Sequence, residues 1–272
     1  MKHLQCGSSQ KLLLILSLII LVPLSWSQSV LIQKIGSGQM DWGSYKISVT
    51  GIGPKGSSSK GSLNEARKDA ISKLKETILN LNWDCKTKVK DTLNKSQTKE
   101  LENLISKQFK MLGKQRYTAS GNCEIEVELT LVNKIMDLIF PPSGDKLKEF
   151  SQKTLPSSTE EAFTGIIIDA TGLKFNPILV PKIVNLQGEE VYGISCLERN
   201  WAITWGVVEY AGASSDFERA GDKPVYVRPL KVSEDGCSLV VSKENFPQLS
   251  YKEQLIALSH ARVVILIEVV GQ

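Results

Sequence analysis

Histidine is almost missing from this chain: 272 residues contain two, His3 and His260. Only His260 lies beyond the N-terminal segment, too few imidazoles for most zinc centres; with no partner suggested by the sequence it reads as structural. Cysteine is sparse as well. Cys6, Cys85, Cys123, Cys196 and Cys237 include no C-x-x-C pair, so zinc-ribbon and thioredoxin-type spacings are absent. An excess of one charge is lacking too: 33 Lys and Arg face 29 Asp and Glu, a net of +4. With Lys2 and Lys11 of the N-terminal segment set aside, the net is +2. A nucleic-acid interface needs basic charge concentrated on one face, so this balance argues against nucleic acid as a partner. The apolar run Leu12 to Leu24 falls short of the roughly 20 residues that span a bilayer.

That run has the features of an export signal. Lys2 and Lys11 precede it with no acid among them, and Ser25-Trp26-Ser27 supplies small residues for cleavage. Residues 1–27 therefore read as a signal peptide, and any membrane association of the rest is expected to be peripheral. Residues 28–40, polar and rich in Gly and Ser, read as a flexible lead-in.

Residues 41–138 read as a first α+β domain of order β-α-α-β-β, with helices on one side of an antiparallel sheet. Tyr45, Ile47 and Val49 alternate as in a strand. Ser62-Leu-Asn-Glu65 has capping-box spacing. Leu63, Ala66, Ala70, Leu74, Ile78 and Leu81 follow as the stripe of an amphipathic helix. A second helix carries Leu101, Leu104, Ile105, Phe109 and Leu112. Cys123, Ile125, Val127, Leu129 and Leu131 then alternate with Glu124, Glu126 and Glu128 in a hairpin strand. A three-residue loop, Ser120 to Asn122, sets Arg116 opposite Glu126, Lys114 opposite Glu128 and Tyr117 against Ile125.

Residues 139–161, with Pro141-Pro142 and a Ser/Thr-rich run, read as a linker. Residues 162–272 read as a mixed α/β second domain opening on FTGIIIDATGL, Phe163 to Leu173. Within it Leu197, Trp201 and Trp205 keep helical spacing, and Pro224–Leu230 and Leu239–Val241 read as strands. Tyr251–Leu258 reads as a helix. RVVILIEVV, Arg262 to Val270, is nearly all apolar, the mark of a central strand buried on both faces.

The candidate chemistry is thin. Gly51-Ile-Gly-Pro-Lys-Gly56 matches a dinucleotide-binding glycine pattern but lacks the acid that should close the next parallel strand, so it reads as a mobile strand-to-helix loop. Ser57-Ser-Ser-Lys60 has acyl-enzyme spacing without its S-D-N and K-T-G partners. The glutamate row of the hairpin could hold a cation, but pairing with Lys114 and Arg116 explains it more simply. Asp169 ends an apolar strand and reads as a turn cap. No catalytic residue, metal ligand or cofactor site is assigned. Trp201, Trp205, Tyr210 and Tyr226 are the interaction candidates, since large exposed aromatics anchor interfaces, against the alternative that they fill the core. In an oxidising compartment Cys85, Cys123, Cys196 and Cys237 suggest one bridge in each domain, Cys85–Cys123 and Cys196–Cys237. Four buried thiols are the alternative.

YKISVTGIG, Ala66-Arg67-Lys68-Asp69-Ala70 and GNCEIEVELTL together resemble the twenty-kilodalton-type outer-membrane lipoprotein family and the N-terminal domain of flagellar assembly protein T. FTGIIIDATGL, VPKIVNLQGEEVYG, GVVEYA and ARVVILIE look like the companion region of exported proteins in the same grouping. The resemblance implies a non-catalytic assembly or interaction module with envelope or flagellar proteins as partners, in the periplasm or at the outer membrane. It leaves the oligomeric state open. The chain has no lipobox cysteine, so the lipid anchor of such relatives is not implied. Two other functions remain open. One is a periplasmic small-molecule binder with a pocket near Trp201 and Trp205. The other is an exported hydrolase using Asp169 with Glu189 or Glu190.

Overall fold

Residues 31–56, 58–141, 155–213 and 215–268 are described by the structure, a computed structural model. The expected signal peptide and residues 142–154 of the expected linker lie outside them. The molecule is α+β, with an antiparallel sheet and its helices in the first part of the chain and a mixed α/β region in the second.

The first sheet starts earlier than expected. Residues 31–40 are not a flexible lead-in: β1 (Ile32–Ile35) and β2 (Gly38–Asp41) form a hairpin, turned at Gly36 with φ 58°. Burial of Leu31, Met40 and Trp42 holds that hairpin to the core. β3 (Lys46–Gly53) follows, and then α1 (Ser59–Asn80). Helix α1 begins one turn before the expected cap. Ser58 is the N-cap, its side chain accepting from Gly61 N at 3.1 Å. Ser62 is buried inside the helix, where its hydroxyl accepts from Gly56 N at 2.9 Å, while Glu65 pairs with Lys68.

Buried Ala66, Ala70, Leu74 and Ile78 lay α1 along β3, as their spacing predicts. Here the glycines of GIGPKG find their use. A Cβ on Gly51 would stand 2.2 Å from Ala66 O, and one on Gly53 would stand 1.9 Å from Ser62 O. Both belong to β3 rather than to a mobile loop, and they let helix and strand backbones touch.

Short α2 (Val89–Thr92) and α3 (Lys95–Gln108) come next. Asn94 and Gln97 cap α3 reciprocally, and Leu101 and Ile105 are its buried face. Leu112, expected on that helix, lies on β4 (Lys110–Tyr117) and is exposed. β4 pairs with β5 (Cys123–Thr130), completing the five-stranded order β1-β2-β3-β5-β4. The hairpin register is two residues off the expected one: Arg116 faces Glu124 and Tyr117 faces Cys123. The loop is Thr118–Asn122, closed by Thr118 N donating to Asn122 O, and a bulge between Leu112 and Arg116 contains Gly113 at φ 74°. Arg116 still reaches Glu126, diagonally, at 2.5 Å, while Glu128 pairs with Lys46 rather than Lys114. α4 (Lys134–Ile139) ends this part.

The second part opens with β6 (Gly165–Asp169), β7 (Lys182–Val184) and β8 (Glu190–Tyr192). It continues through α5 (Arg199–Trp205), β9 (Glu209–Ala211), β10 (Pro224–Val227), β11 (Lys231–Val232) and β12 (Ser238–Val240). It closes on α6 (Lys252–Ser259) and β13 (Val263–Leu266). β10-β6-β13-β9 is an all-parallel sheet, and β13 is an interior strand buried along its whole length, as its composition requires. β11-β12-β7-β8 is a second, mixed sheet.

One apolar cluster runs through both parts. Ile139 and Phe140, placed in the expected linker, are buried in it. Polar ties cross the same seam. Leu179 N and Val180 N donate to Asn82 O and Trp83 O at 3.0 and 2.9 Å, and Asn133 N donates to Ile203 O at 2.8 Å. Arg199 donates to Asp137, Phe140 and Pro141. The first of these ties carries Cys85 to the turn before β12, and there it bonds to Cys237 across 152 residues of chain. The expected Cys85–Cys123 and Cys196–Cys237 bridges are therefore not formed. Cys123 points into the α1–sheet core as a buried thiol, and Cys196 is a half-buried thiol beside Ser195. A disulfide marks a chain that folds in an oxidising, exported environment. Among the described residues no helix is long and apolar enough to cross a membrane.

Candidate functional site

Where the β2–β3 turn meets the end of α5, the seam opens into a cavity of about 210 Å³. Gly43, Ser44 and Tyr45 form one wall, and Trp205, Glu209 and Arg219 the other. Tyr45 holds a left-handed backbone, φ 52°, and turns its ring inward, where the hydroxyl donates to Val208 O at 2.8 Å. Gly206 makes room for that ring. It ends α5 at φ 82°, and a Cβ there would lie 2.8 Å from Tyr45 Cζ.

Arg219 reaches the cavity from the short turn before β10 and is 8% exposed. Its Nε donates to Ala261 O at 2.6 Å, Nη1 to Trp205 O at 2.8 Å and Nη2 to Gly206 O at 2.7 Å. The guanidinium also lies 5.7 Å from the centre of the Trp205 ring. All three acceptors are neutral carbonyls, and among the described residues no carboxylate is in ion-pair contact with this buried cation. Desolvation accordingly lowers its pKa, an effect that nearby Tyr45, Tyr192 and Glu209 oppose.

Glu209, the first residue of β9, is half-buried, and its carboxylate makes no hydrogen bond or ion pair among the described residues. Burial raises its carboxyl above the ordinary 4.5; Arg219 pulls it back and Glu218 adds to the rise. Acid and guanidinium thus sense each other's charge across the cavity without touching.

An aromatic ladder leads away along α5. Trp205 meets Trp201 edge-on at 6.0 Å, and Trp201 stacks on His260 at 4.4 Å. His260 Nε2 lies 3.8 Å from Glu198. Trp205, at 44% exposed, and Tyr226, at 63%, are the interaction candidates that face solvent. Tyr226 sits on β10, at the edge of the parallel sheet, while Trp205 borders the cavity. Trp201 is half-buried. Tyr210 is a core residue instead: its hydroxyl donates to Ile178 O and accepts from Ile178 N, and its ring packs on Trp42.

The carboxylates weighed for hydrolysis are engaged by different neighbours. Asp169 accepts from Thr171 N at 3.1 Å, as a turn cap does, and pairs with Arg228 at 3.3 Å. Glu189 holds Asn185, and Glu190 holds Ser195 and Lys182. Asp235 stands beside the sulfurs of Cys85 and Cys237, but these are consumed by their bond to each other. The sequence marks Tyr45 only as a strand residue, just before the observed start of β3, and marks neither Glu209 nor Arg219 as a site residue. Glu209 carried a signal, a lone acid between Val207-Val208 and Tyr210-Ala211. Arg219 carried none, because the three carbonyls that define it come from distant parts of the chain.

No curated protein matches the chain. A family model described as Treponema pallidum Tp0624, second domain, matches residues 165–269, from the first residue of β6 to just beyond β13, so the second part of this chain is similar to that domain.

Proposed function

We propose that this is an exported, non-catalytic protein of a bacterial envelope, an assembly or interaction module whose two domains act as one body. The observation that supports this reading is the Cys85–Cys237 bridge, which ties the second domain to the segment after α1 across a shared core. A protein joined in this way presents one fixed surface to a partner. The resemblance of the first domain to outer-membrane lipoproteins and to flagellar assembly protein T supports a place in the periplasm or at the outer membrane. Envelope fractionation followed by in-cell crosslinking of the tagged native protein tests the reading. Expected is recovery in the envelope, crosslinked to outer-membrane or flagellar-basal proteins. Recovery in the cytosol with Cys85 and Cys237 reduced would overturn it.

A second reading has an observation of its own. The cavity beside Trp205 carries an unpaired acid and an incompletely paired guanidinium, which favours a periplasmic small-molecule binder.

A further inference from the structure

We infer that the seam cavity binds a small zwitterion of the α-amino-acid class, its carboxylate on Arg219 and its ammonium on Glu209. This inference rests on the small-molecule reading of the site.

A guanidinium has five N–H groups, and three of those on Arg219 are taken by carbonyls. One hydrogen on each terminal nitrogen remains, which is what a carboxylate needs for paired contact. The three carbonyls also hold the guanidinium in place, so ordering it on binding costs little. Glu209 supplies the complementary acceptor from β9.

The presence of both charges in one cavity selects the ligand. A simple anion drawn to Arg219 is repelled by Glu209, and a simple cation drawn to Glu209 is repelled by Arg219. A molecule carrying both charges a few bonds apart satisfies both groups. Size narrows it further, since about 210 Å³ lies below the range of about 300–1,000 Å³ usual for larger ligands. The half-exposed Trp205 ring offers an apolar wall to the ligand's side chain. Binding would also span the seam, because Gly43, Ser44 and Tyr45 come from the first domain and Trp205, Glu209 and Arg219 from the second.

The test uses the full chain and a panel of free L-amino acids at about 10 mM, enough to fill a site with a Kd of about 1 mM. Thermal unfolding and tryptophan fluorescence are the readouts, with Trp205→Phe to assign the optical change. One or more members of the panel should raise the Tm and shift the emission. N-acetylation or methyl esterification of the active member should weaken binding at least about tenfold, the equivalent of 1.4 kcal/mol. Glu209→Gln should weaken it similarly while leaving the free protein folded. Arg219→Lys should do likewise, but it disturbs three structural hydrogen bonds, so Glu209→Gln is the deciding variant. Response to uncharged or singly charged compounds alone, or undiminished binding to Glu209→Gln, would overturn the zwitterion assignment while leaving a small-molecule site. No response to amino acids, sugars, amines or carboxylic acids would overturn both the assignment and the small-molecule reading.

Discussion

Arg219 is a buried cation whose hydrogen bonds join the end of α5 to the turn entering β13. Replacing it with methionine keeps the unbranched stem but removes the guanidinium, which strips Ala261, Trp205 and Gly206 of a donor. Each buried carbonyl left unpaired costs about 1–3 kcal/mol, partly offset because a charge no longer has to be desolvated. Arg219→Met should therefore lose roughly 2 kcal/mol, read as a lower urea midpoint at unchanged slope. Glu209 predicts a pH effect of the opposite origin. Its folded-state pKa lies above the ordinary 4.5, so the folded protein holds that proton more tightly than the unfolded chain does. Its contribution to stability is complete below about pH 4.5 and is lost as pH rises through the raised value. Urea midpoints measured across this range should fall less steeply with pH in Glu209→Gln than in the parent protein. An equal slope in the two proteins would mean that the carboxyl is not perturbed.

At the scale of elements, the α1–β3 contact shows what patterning can and cannot convey. The alanine and leucine stripe of α1 was legible because its 3.6-residue period repeats over several turns. The closeness of the contact was not, because Gly51 and Gly53 look like loop glycines until a helix lies over them. Gly53→Ala places a methyl 1.9 Å from Ser62 O, so α1 must lift or tilt. The expected loss is about 3 kcal/mol, at the upper end of ordinary overpacking. Gly113→Ala, with open space around it, serves as the comparison for backbone strain alone. The β4–β5 register slipped for a related reason. A bulge and a five-residue loop satisfy the backbone as well as the shorter loop would, and alternation along β5 is the same in either register. The start of α1 shifted because two serines compete to cap it, and Ser62 is more useful buried, accepting from Gly56. α6 followed its pattern, while α3 stops at Gln108 and yields Leu112 to β4, and β13 takes Val263–Leu266 of the longer apolar run expected from Arg262.

At the scale of the molecule, the α+β class was legible and the joining of the two parts was not. Pro141-Pro142 and the Ser/Thr-rich run after it suggest a boundary, but the seam is made of contacts that no local window contains: Tyr45 with Val208, Trp42 with Tyr210, Asn82 with Leu179. The cysteines belong to this scale as well. An even split of four invites one bridge per domain, whereas the chain spends two thiols across the seam and leaves Cys123 and Cys196 unbridged. Alkylation of the unfolded, unreduced protein should label Cys123 and Cys196 and spare Cys85 and Cys237, and digestion should yield one linked peptide pair. Recovery of a Cys85–Cys123 or Cys196–Cys237 peptide would refute the cross-seam connection. Because the bridge closes a loop of 152 residues, it restricts the unfolded chain strongly. Opening it in Cys85→Ser should lower stability by about 2–5 kcal/mol. The form of the loss is as informative as its size. With the bridge intact, one shared core predicts a single unfolding transition, with tryptophan fluorescence and far-ultraviolet circular dichroism superimposed. If the apolar seam by itself couples the domains, Cys85→Ser will unfold earlier but still in one step. If the bridge is what couples them, the two signals will separate in that variant, and the domains will be one body only while the disulfide lasts.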